Sequence, residues 1–208
     1  MLTWGYEVIM KLLKDRKFAI LITVIIAVLA TLFGVYRTSV RNTRDIEVMF
    51  NSGVYLKDEG YTQAGISSHL NNCVNAALGL ATIMENYPEY ADRSRALELA
   101  RGELIAAKSI ADKSHAYAKM WTRFTELSTA VTSAPSYSSM PSRDSAAVNE
   151  YTKTLNSANW AIVNSRYNNE VFEYLDSRSS LMRAISLITP TQTPDYFIID
   201  FNYPSPPF

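Results

Sequence analysis

Residues 18–36 read FAILITVIIAVLATLFGVY and contain no charged residue, no proline and one glycine. At 1.5 Å per residue, a helix of this length spans about 28 Å, close to the ~30 Å hydrocarbon core of a bilayer. Basic residues flank the run on both sides: Lys14, Arg16 and Lys17 precede it, and Arg37, Arg41 and Arg44 follow it. The run predicts one transmembrane helix. Its membrane-anchor residues are Phe18, Ile22, Ile25, Leu29 and Phe33.

Three other interpretations of this run are weaker. A cleaved signal peptide has a shorter apolar core and a small-x-small cleavage site, and Gly34-Val35-Tyr36 is a poor site. A lipoprotein needs a cysteine beside the run, whereas the one cysteine is Cys73. A buried core helix is rarely so uniformly apolar. We therefore expect a single-pass protein of the cell membrane, with residues 1–17 as a short leader before the anchor.

The charge distribution bears on orientation and on partners. Four Lys and Arg residues in the leader against three on the far flank weakly favour a cytoplasmic N-terminus. From Asp45 onward the chain has 13 Lys and Arg against 18 Asp and Glu. Such an acidic body argues against nucleic-acid binding, which needs cations to displace condensed counterions. The expected partners are the lipid bilayer and a protein.

Residues 37–188 predict a helical body. The membrane helix continues to Lys57, where Lys57-Asp-Glu-Gly60 breaks it. The apolar seam of the next helix follows steps of four and three residues through Ile66, Leu70, Cys73, Ala77, Leu80 and Met84. A third helix is predicted from Leu97 to Val131, and a fourth from Val148 to Ile188 with a one-residue slip in its seam before Tyr167. These four amphipathic helices predict an all-α fold, an antiparallel four-helix bundle with long helices.

Connections and ends follow from composition. Asn86-Tyr87-Pro88 ends the second helix, and Asp92 or Ser94 is the expected N-cap of the third. Residues 132–143, TSAPSYSSMPSR, form a loop, after which Asp144 is the expected cap. Prolines end helicity in residues 189–208, a tail whose stretch from Tyr196 to Tyr203 is apolar and aromatic. We expect part of this tail to pack on the final helix rather than to be free for a partner.

The sequence offers no catalytic or cofactor motif. His69 and Cys73 are four residues apart on a helix, but two ligands do not complete a metal site, and Cys73 lies on the apolar seam. His115 stands alone, so no pair of Cys and His has a third group to orient it. Glycine-rich phosphate loops and the G-x-S-x-G, H-E-x-x-H and C-x-x-C patterns are absent from the sequence. We expect no enzymatic activity and no cofactor.

One stretch of the fourth helix is more specific. Residues 161–174, AIVNSRYNNEVFEY, resemble the signature of LemA-family proteins, roughly I-x-x-A-R-x-x-Y-N-x-x-V-x-x-Y-N. The matching residues are Tyr167, Asn168, Val171 and Tyr174. The layout is similar too, with a short leader, one membrane helix, a helical body and a tail with aromatic residues after Pro194. The chain departs from the family pattern at Asn164 and Leu175, where the family tends to have arginine and asparagine.

The resemblance implies a membrane-anchored helical bundle with an outward leader and a cytoplasmic body. The charge bias indicates the opposite orientation, so the side of the membrane on which the body lies is undecided. We interpret Tyr167 and Asn168 as structural, because a buried tyrosine hydroxyl seeks a hydrogen-bond partner and an asparagine beside it can bond across helices. Two functions compete: a non-enzymatic scaffold or protein-interaction module, and a sensor that binds a small molecule or peptide between helices. A pocket lined by Tyr117, Trp121 and Tyr167 would favour the sensor, and a filled core the scaffold.

Overall fold

The computed structural model describes residues 16–178, 183 and 193–199. These residues form an all-α fold. The helices are α1 (Arg16–Ser52), α2 (Ile66–Met84), α3 (Ala91–Ala106), α4 (Ile110–Thr132), α5 (Ser142–Val163) and α6 (Tyr167–Ser177). Short 3₁₀ turns at Pro88–Tyr90 and Pro135–Ser139 precede α3 and α5. Two compact units divide the chain, and their boundary in α1 lies between Asp45 and Ile46.

Helix α1 is 37 residues long and contains the whole apolar run. It is long and apolar enough to cross a membrane, and none of its most apolar 18-residue window is buried. Ile25, Leu29 and Phe33 are exposed, whereas Phe18 and Ile22 are half-buried. Thr23 and Thr31 donate their hydroxyl protons to the carbonyls of Ala19 and Ala27 at 2.9 Å, so these polar groups are satisfied within the helix.

The structure corrects the end of this first helix. We expected it to reach Lys57, but α1 ends at Ser52, and Gly53 follows with a φ of 97°. A Cβ at Gly53 would clash with the Gln63 carbonyl, so both its conformation and its surroundings favour glycine. The chain then forms an antiparallel hairpin of β1 (Val54–Leu56) and β2 (Tyr61–Gln63). The predicted break at 57–60 is the turn of this hairpin.

Helix α2 lies at the centre of the larger unit and packs against both α3 and α5. All six of its predicted seam residues are buried, and Ala76 and Ala81 are buried beside them. The helix ends at Met84, just before the predicted stop. Close approach to α5 depends on Gly79, where a Cβ would clash with the ring of Tyr151. The spacing of apolar residues therefore predicted this helix and its buried face correctly.

The predicted third and fourth helices are each divided in two. Ala107 adopts an extended conformation (ψ 130°) that separates α3 from α4. The Ser109 side chain then caps α4 by accepting a 3.0 Å hydrogen bond from the Asp112 amide. The second division falls at residues 164–166, between α5 and α6, where the seam slip had been expected. The apolar spacing continues across Ala107, so it did not reveal the first break, whereas the slip before Tyr167 marked the second break but was interpreted as a change within one helix. Residues 179–182 and 184–188 of the predicted fourth helix lie outside the described residues.

The predicted caps of the third and fourth helices were also wrong. Tyr90 occupies the N-cap position of α3 without a side-chain capping bond. Ser94 is instead buried and donates to the Ala81 carbonyl at 2.9 Å, which joins α3 to α2. Asp144 lies in the first turn of α5 and accepts a 2.7 Å bond from the Tyr87 hydroxyl. The Ser94 hydroxyl and the Asp144 carboxylate are therefore engaged in tertiary hydrogen bonds and do not cap their helices.

Candidate functional site

Residues 194–199 of the tail lie extended against the larger unit, without helix or strand structure. Pro194, Phe197 and Ile199 are buried, and Asp195 and Ile198 are exposed. Residues 197 and 199 belong to the same apolar core as the seam of α2. The expected packing of part of the tail is thus confirmed for these residues, while Asp200 to Phe208 lie outside the described chain.

The Phe197 ring occupies an aromatic cluster. Its centroid lies 5.6 Å from that of Phe50 on α1 and 6.0 Å from that of Tyr117 on α4. Phe50 in turn meets Tyr167 on α6 edge-to-face at 5.5 Å. These centroid separations are typical of favourable aromatic pairs, which add about 0.5–1.5 kcal/mol each to the effect of burial. The cluster therefore joins α1, α4 and α6 to the tail.

Side chains of the body satisfy the extended backbone of the tail. The Asn168 amide binds Phe197 twice: Nδ2 donates to the Phe197 carbonyl at 2.9 Å, and Oδ1 accepts from the Phe197 amide at 3.0 Å. The Tyr167 hydroxyl donates to the Asp195 carbonyl at 2.8 Å, and the Ser114 hydroxyl donates to the Ile198 carbonyl. We call Phe50, Ser114, Tyr117, Tyr167 and Asn168 the tail-binding site.

A second side-chain amide, that of Gln63, stabilises the segment that precedes Tyr167 and Asn168. Nε2 of Gln63, the last residue of β2, donates to the Asn164 carbonyl at 3.3 Å. Its Oε1 accepts from the Arg166 amide at 3.0 Å. These bonds satisfy backbone groups at the break between α5 and α6, immediately before Tyr167 and Asn168. Asn164 also ends α5, because its Nδ2 donates to the Trp160 carbonyl at 2.7 Å. The hairpin thus fixes the start of α6, which carries the tail-binding residues.

Three side chains near the tail, Cys73, Tyr117 and Asn159, are linked by hydrogen bonds. The Cys73 thiol donates to the Tyr117 hydroxyl at 3.8 Å, and that hydroxyl donates to Asn159 Oδ1 at 2.9 Å. Burial raises the pKa of Cys73 to about 12, and it also raises the pKa of the Tyr117 phenol. The pKa of Tyr167 is raised by burial and by the charges of Glu47 and Asp195. All three groups are protonated at neutral pH, so this cysteine is an inert core residue rather than a nucleophile.

The remaining polar groups do not assemble chemistry. Within residues 16–178 and 193–199, no three His, Cys, Asp or Glu side chains converge as a metal site would require. His69 lies apart from the Cys73 network, in an open groove with Glu150 and Lys153, and partial burial lowers its pKa. A larger open groove of about 710 Å³ lies between α3 and α4, lined by Arg93, Trp121 and Glu126 among others.

The structure brings together only part of the predicted signature. Tyr167 and Asn168 both bind the tail, and Val171 is buried in the core, whereas Tyr174 is only partly buried. We had expected Asn168 to bond to another helix, but its side chain bonds instead to the backbone of Phe197 in the tail. Sequence reasoning missed Phe50, Ser114 and Gln63 as contributors. Ile46, Met49 and Phe50 share one face of α1 at helical spacing, which indicates a buried face, but nothing in the sequence linked Phe50 to residue 197.

Comparison with known proteins adds no relative. No family model, no curated protein and no solved structure matches this chain.

Proposed function

We propose that this protein is a membrane-anchored, non-enzymatic scaffold of LemA type. The observation that carries the proposal is the exposure of α1: no residue of its most apolar 18-residue window is buried, and most are exposed. Each exposed Leu, Ile or Phe side chain in water forfeits about 1.5–3 kcal/mol of burial free energy, and the run contains many. A bilayer removes that cost, and a helix satisfies its own backbone hydrogen bonds there.

We further propose that the body is an antiparallel four-helix bundle of α2, α3, α4 and α5. Contacts between α2 and α5 support an antiparallel pair, because early residues of one meet late residues of the other. Gln63, just before α2, bonds to Asn164 just after α5, and Tyr87 bonds to Asp144 at the opposite ends. The ion pair between Glu103 and Lys119 supports the same relation for α3 and α4, whose connection is short.

The scaffold role is favoured over a sensor by the interior. Tyr117 and Tyr167, which would have lined a ligand pocket between helices, are fully buried by protein. Phe197 occupies the space between Phe50 and Tyr117, so the aromatic region is filled by the chain itself. The alternative function, a sensor for a small molecule or peptide, retains one supporting observation: the open groove beside Trp121.

The LemA-type interpretation is supported by the part that the signature residues play. Tyr167 and Asn168 together bind three backbone groups of the tail that follows Pro194. A signature that couples the last helix to an aromatic tail would serve any member that has both. Because of α1 we propose that the protein resides in the cell membrane. The side of the membrane on which its body lies is undecided.

Membrane fractionation tests the proposal first. Full-length protein should remain in the pellet after alkaline carbonate extraction, and release into the supernatant would contradict the anchor. Protease protection of sealed vesicles then assigns the side of the body. The body should next be used as bait on solubilised membranes, with a Trp121→Ala body in parallel. A partner retained by both supports the scaffold, whereas a small molecule that co-purifies with the wild type alone supports the sensor.

A further inference from the structure

The hydrogen bonds of the tail-binding site reach the backbone of its occupant, and the apolar contacts come from the buried side chains of Phe197 and Ile199. Its four hydrogen bonds reach the backbone of residues 195, 197 and 198, and none involves a side chain of the tail. The side chains of Asp195 and Ile198 are exposed, and Ile198 keeps 44% of its surface in solvent. Pro194, Phe197 and Ile199 are buried, and Tyr196 is partly buried against the same core. Such a site distinguishes the shape of an extended segment and one ring, and it tolerates other residues at the exposed positions.

This arrangement has the features of a peptide-recognition site. In such sites, main-chain hydrogen bonds give affinity, and pockets for alternate side chains give specificity. Phe197 and Ile199 alternate with Ile198 here, as side chains do along an extended chain. Asn168 supplies both a donor and an acceptor to one residue, as a neighbouring strand would. The aromatic pocket of Phe50 and Tyr117 receives the ring.

The occupant is a segment that a second molecule also carries. Residues 178–193 separate it in sequence from α6, which bears Tyr167 and Asn168. Exchange of an identical element between two copies preserves every contact and needs no new surface. We propose that the tail-binding site is a peptide-binding site for an extended segment with a central aromatic residue, occupied in cis by residues 194–199 and open in trans to the same segment of a second copy. This inference goes beyond the scaffold role and does not depend on the membrane anchor.

The test uses the full-length chain in detergent with a fluorescent peptide of residues 193–199, TPDYFII. In a Phe197→Ala chain the resident tail loses its ring, so the site opens and the peptide should bind with saturable anisotropy. The wild-type chain, whose site is filled, should bind at least about tenfold more weakly, which corresponds to 1.4 kcal/mol. An Ile198→Ala chain is the matched control. Because Ile198 is exposed, this chain should behave as the wild type does.

Two peptide variants test the contacts themselves. N-methylation of the Phe197 amide removes the donor to Asn168 Oδ1, and Phe197→Ala in the peptide removes the ring; each should weaken binding by about tenfold or more. A peptide with serine in place of Asp195 and Ile198 should bind as well as TPDYFII, since those side chains are exposed. Adding Asn168→Leu to the Phe197→Ala chain should abolish binding.

Two results would overturn the proposal. A folded Phe197→Ala chain that binds no peptide shows that the site works only in cis. Binding that ignores both N-methylation and Asn168→Leu shows non-specific adsorption. If Phe197→Ala does not fold, Phe197→Leu keeps apolar volume while losing the ring, and the same comparisons apply to it. Light scattering of the wild type across concentration adds an independent check: a dimer that dissociates on adding excess TPDYFII supports exchange between copies, whereas a dimer that persists unchanged contradicts it.

Discussion

Two apolar stretches of this chain have opposite environments. In residues 18–36 of α1 most apolar side chains are exposed, whereas Phe197 and Ile199 of the tail are in the core. The difference lies in the backbone. A helix satisfies its own amides and carbonyls, so it can place apolar side chains in any apolar medium. An extended segment has unsatisfied backbone groups, so it can be buried only where side chains such as Asn168 and Tyr167 bind them. An apolar sequence favours removal of a segment from water. The hydrogen bonding of its backbone determines whether that segment can enter a membrane or must be buried within the protein.

The largest expected effect concerns the membrane insertion of residues 18–36. Replacing Ile25 and Ile26 with Asp places two charges within the proposed membrane span and should cost about 6 kcal/mol of insertion free energy. Carbonate extraction measures the result, and the double variant should move to the soluble or aggregated fraction. The matched control, Ile25→Leu with Ile26→Leu, should stay in the membrane. Wild-type behaviour of the Asp variant would show that this helix does not insert.

The second prediction concerns the tail. Phe197→Ala removes a fully packed ring and should destabilise the folded body by about 3–5 kcal/mol. Ile198→Ala, at an exposed neighbouring position, should change stability by less than about 0.5 kcal/mol. Chemical denaturation followed by circular dichroism compares the two. Equal, small effects would mean that the tail packs on the body without stabilising it.

The third prediction uses the thiol beneath the tail. The pKa of Cys73 is raised from 9.0 to about 12, so its protonated form stabilises the fold. That contribution is complete below pH 9 and is lost as the pH rises from 9 towards 12, by about 1.4 kcal/mol per pH unit, because only the unfolded thiol ionises in that range. Tyr117, whose pKa is also raised, adds to the loss above pH 10. Denaturation curves at pH 8 and pH 10 measure the effect.

Cys73→Ala provides the control for this titration. The variant loses some packing at every pH, but its stability should fall less steeply than that of the wild type between pH 9 and pH 10. A wild type whose stability is flat up to pH 11 would contradict burial of the Cys73 and Tyr117 pair.

The smallest expected effect sharpens the comparison between packed and open helix surfaces. Gly102 on α3 has open space around it, so Gly102→Ala should stabilise the body by about 1 kcal/mol through helix propensity. Gly79 on α2 faces the Tyr151 ring, and a methyl group there must displace it. Gly79→Ala should therefore be less stable than Gly102→Ala by at least about 1 kcal/mol. Thermal melts of both variants test this, and equal gains would mean that α2 and α5 are more loosely packed than described.

The sequence predicted faces better than it predicted ends. Every seam residue of α2 and the aromatic seam from Tyr117 to Val131 is buried, because apolar spacing reports directly on what faces the core. The break at Ala107 escaped prediction because the apolar spacing continues across it. The slip before Tyr167 did mark residues 164–166, but it was interpreted as a change within one helix. The turn at Gly53 also escaped prediction, because Gly53 continues the helical spacing of Ile46, Met49 and Phe50 and only its positive φ shows the turn.

The tail-binding site was the least predictable part. Asn168 and Tyr167 were singled out through a resemblance. A partner for each was expected, but the partner of Asn168 was assigned to another helix and that of Tyr167 was not assigned. The true partners are the backbone groups of Asp195 and Phe197, and backbone has no sequence signature. Gln63, which binds the backbone on both sides of the break before α6, was missed for the same reason.

The position of Phe197 also bears on how fast the body forms and opens. Helical hairpins such as α3 with α4 join residues that are near in sequence, and contacts of this kind form early in folding. Phe50 and Phe197 lie at opposite ends of the larger unit in sequence, so their contact closes a loop through nearly all of it and carries a large entropic cost. We expect this contact to form after the rate-limiting barrier, so that weakening it accelerates unfolding and leaves the folding rate nearly unchanged. The tail should then govern the lifetime of the folded body more than the rate of its formation.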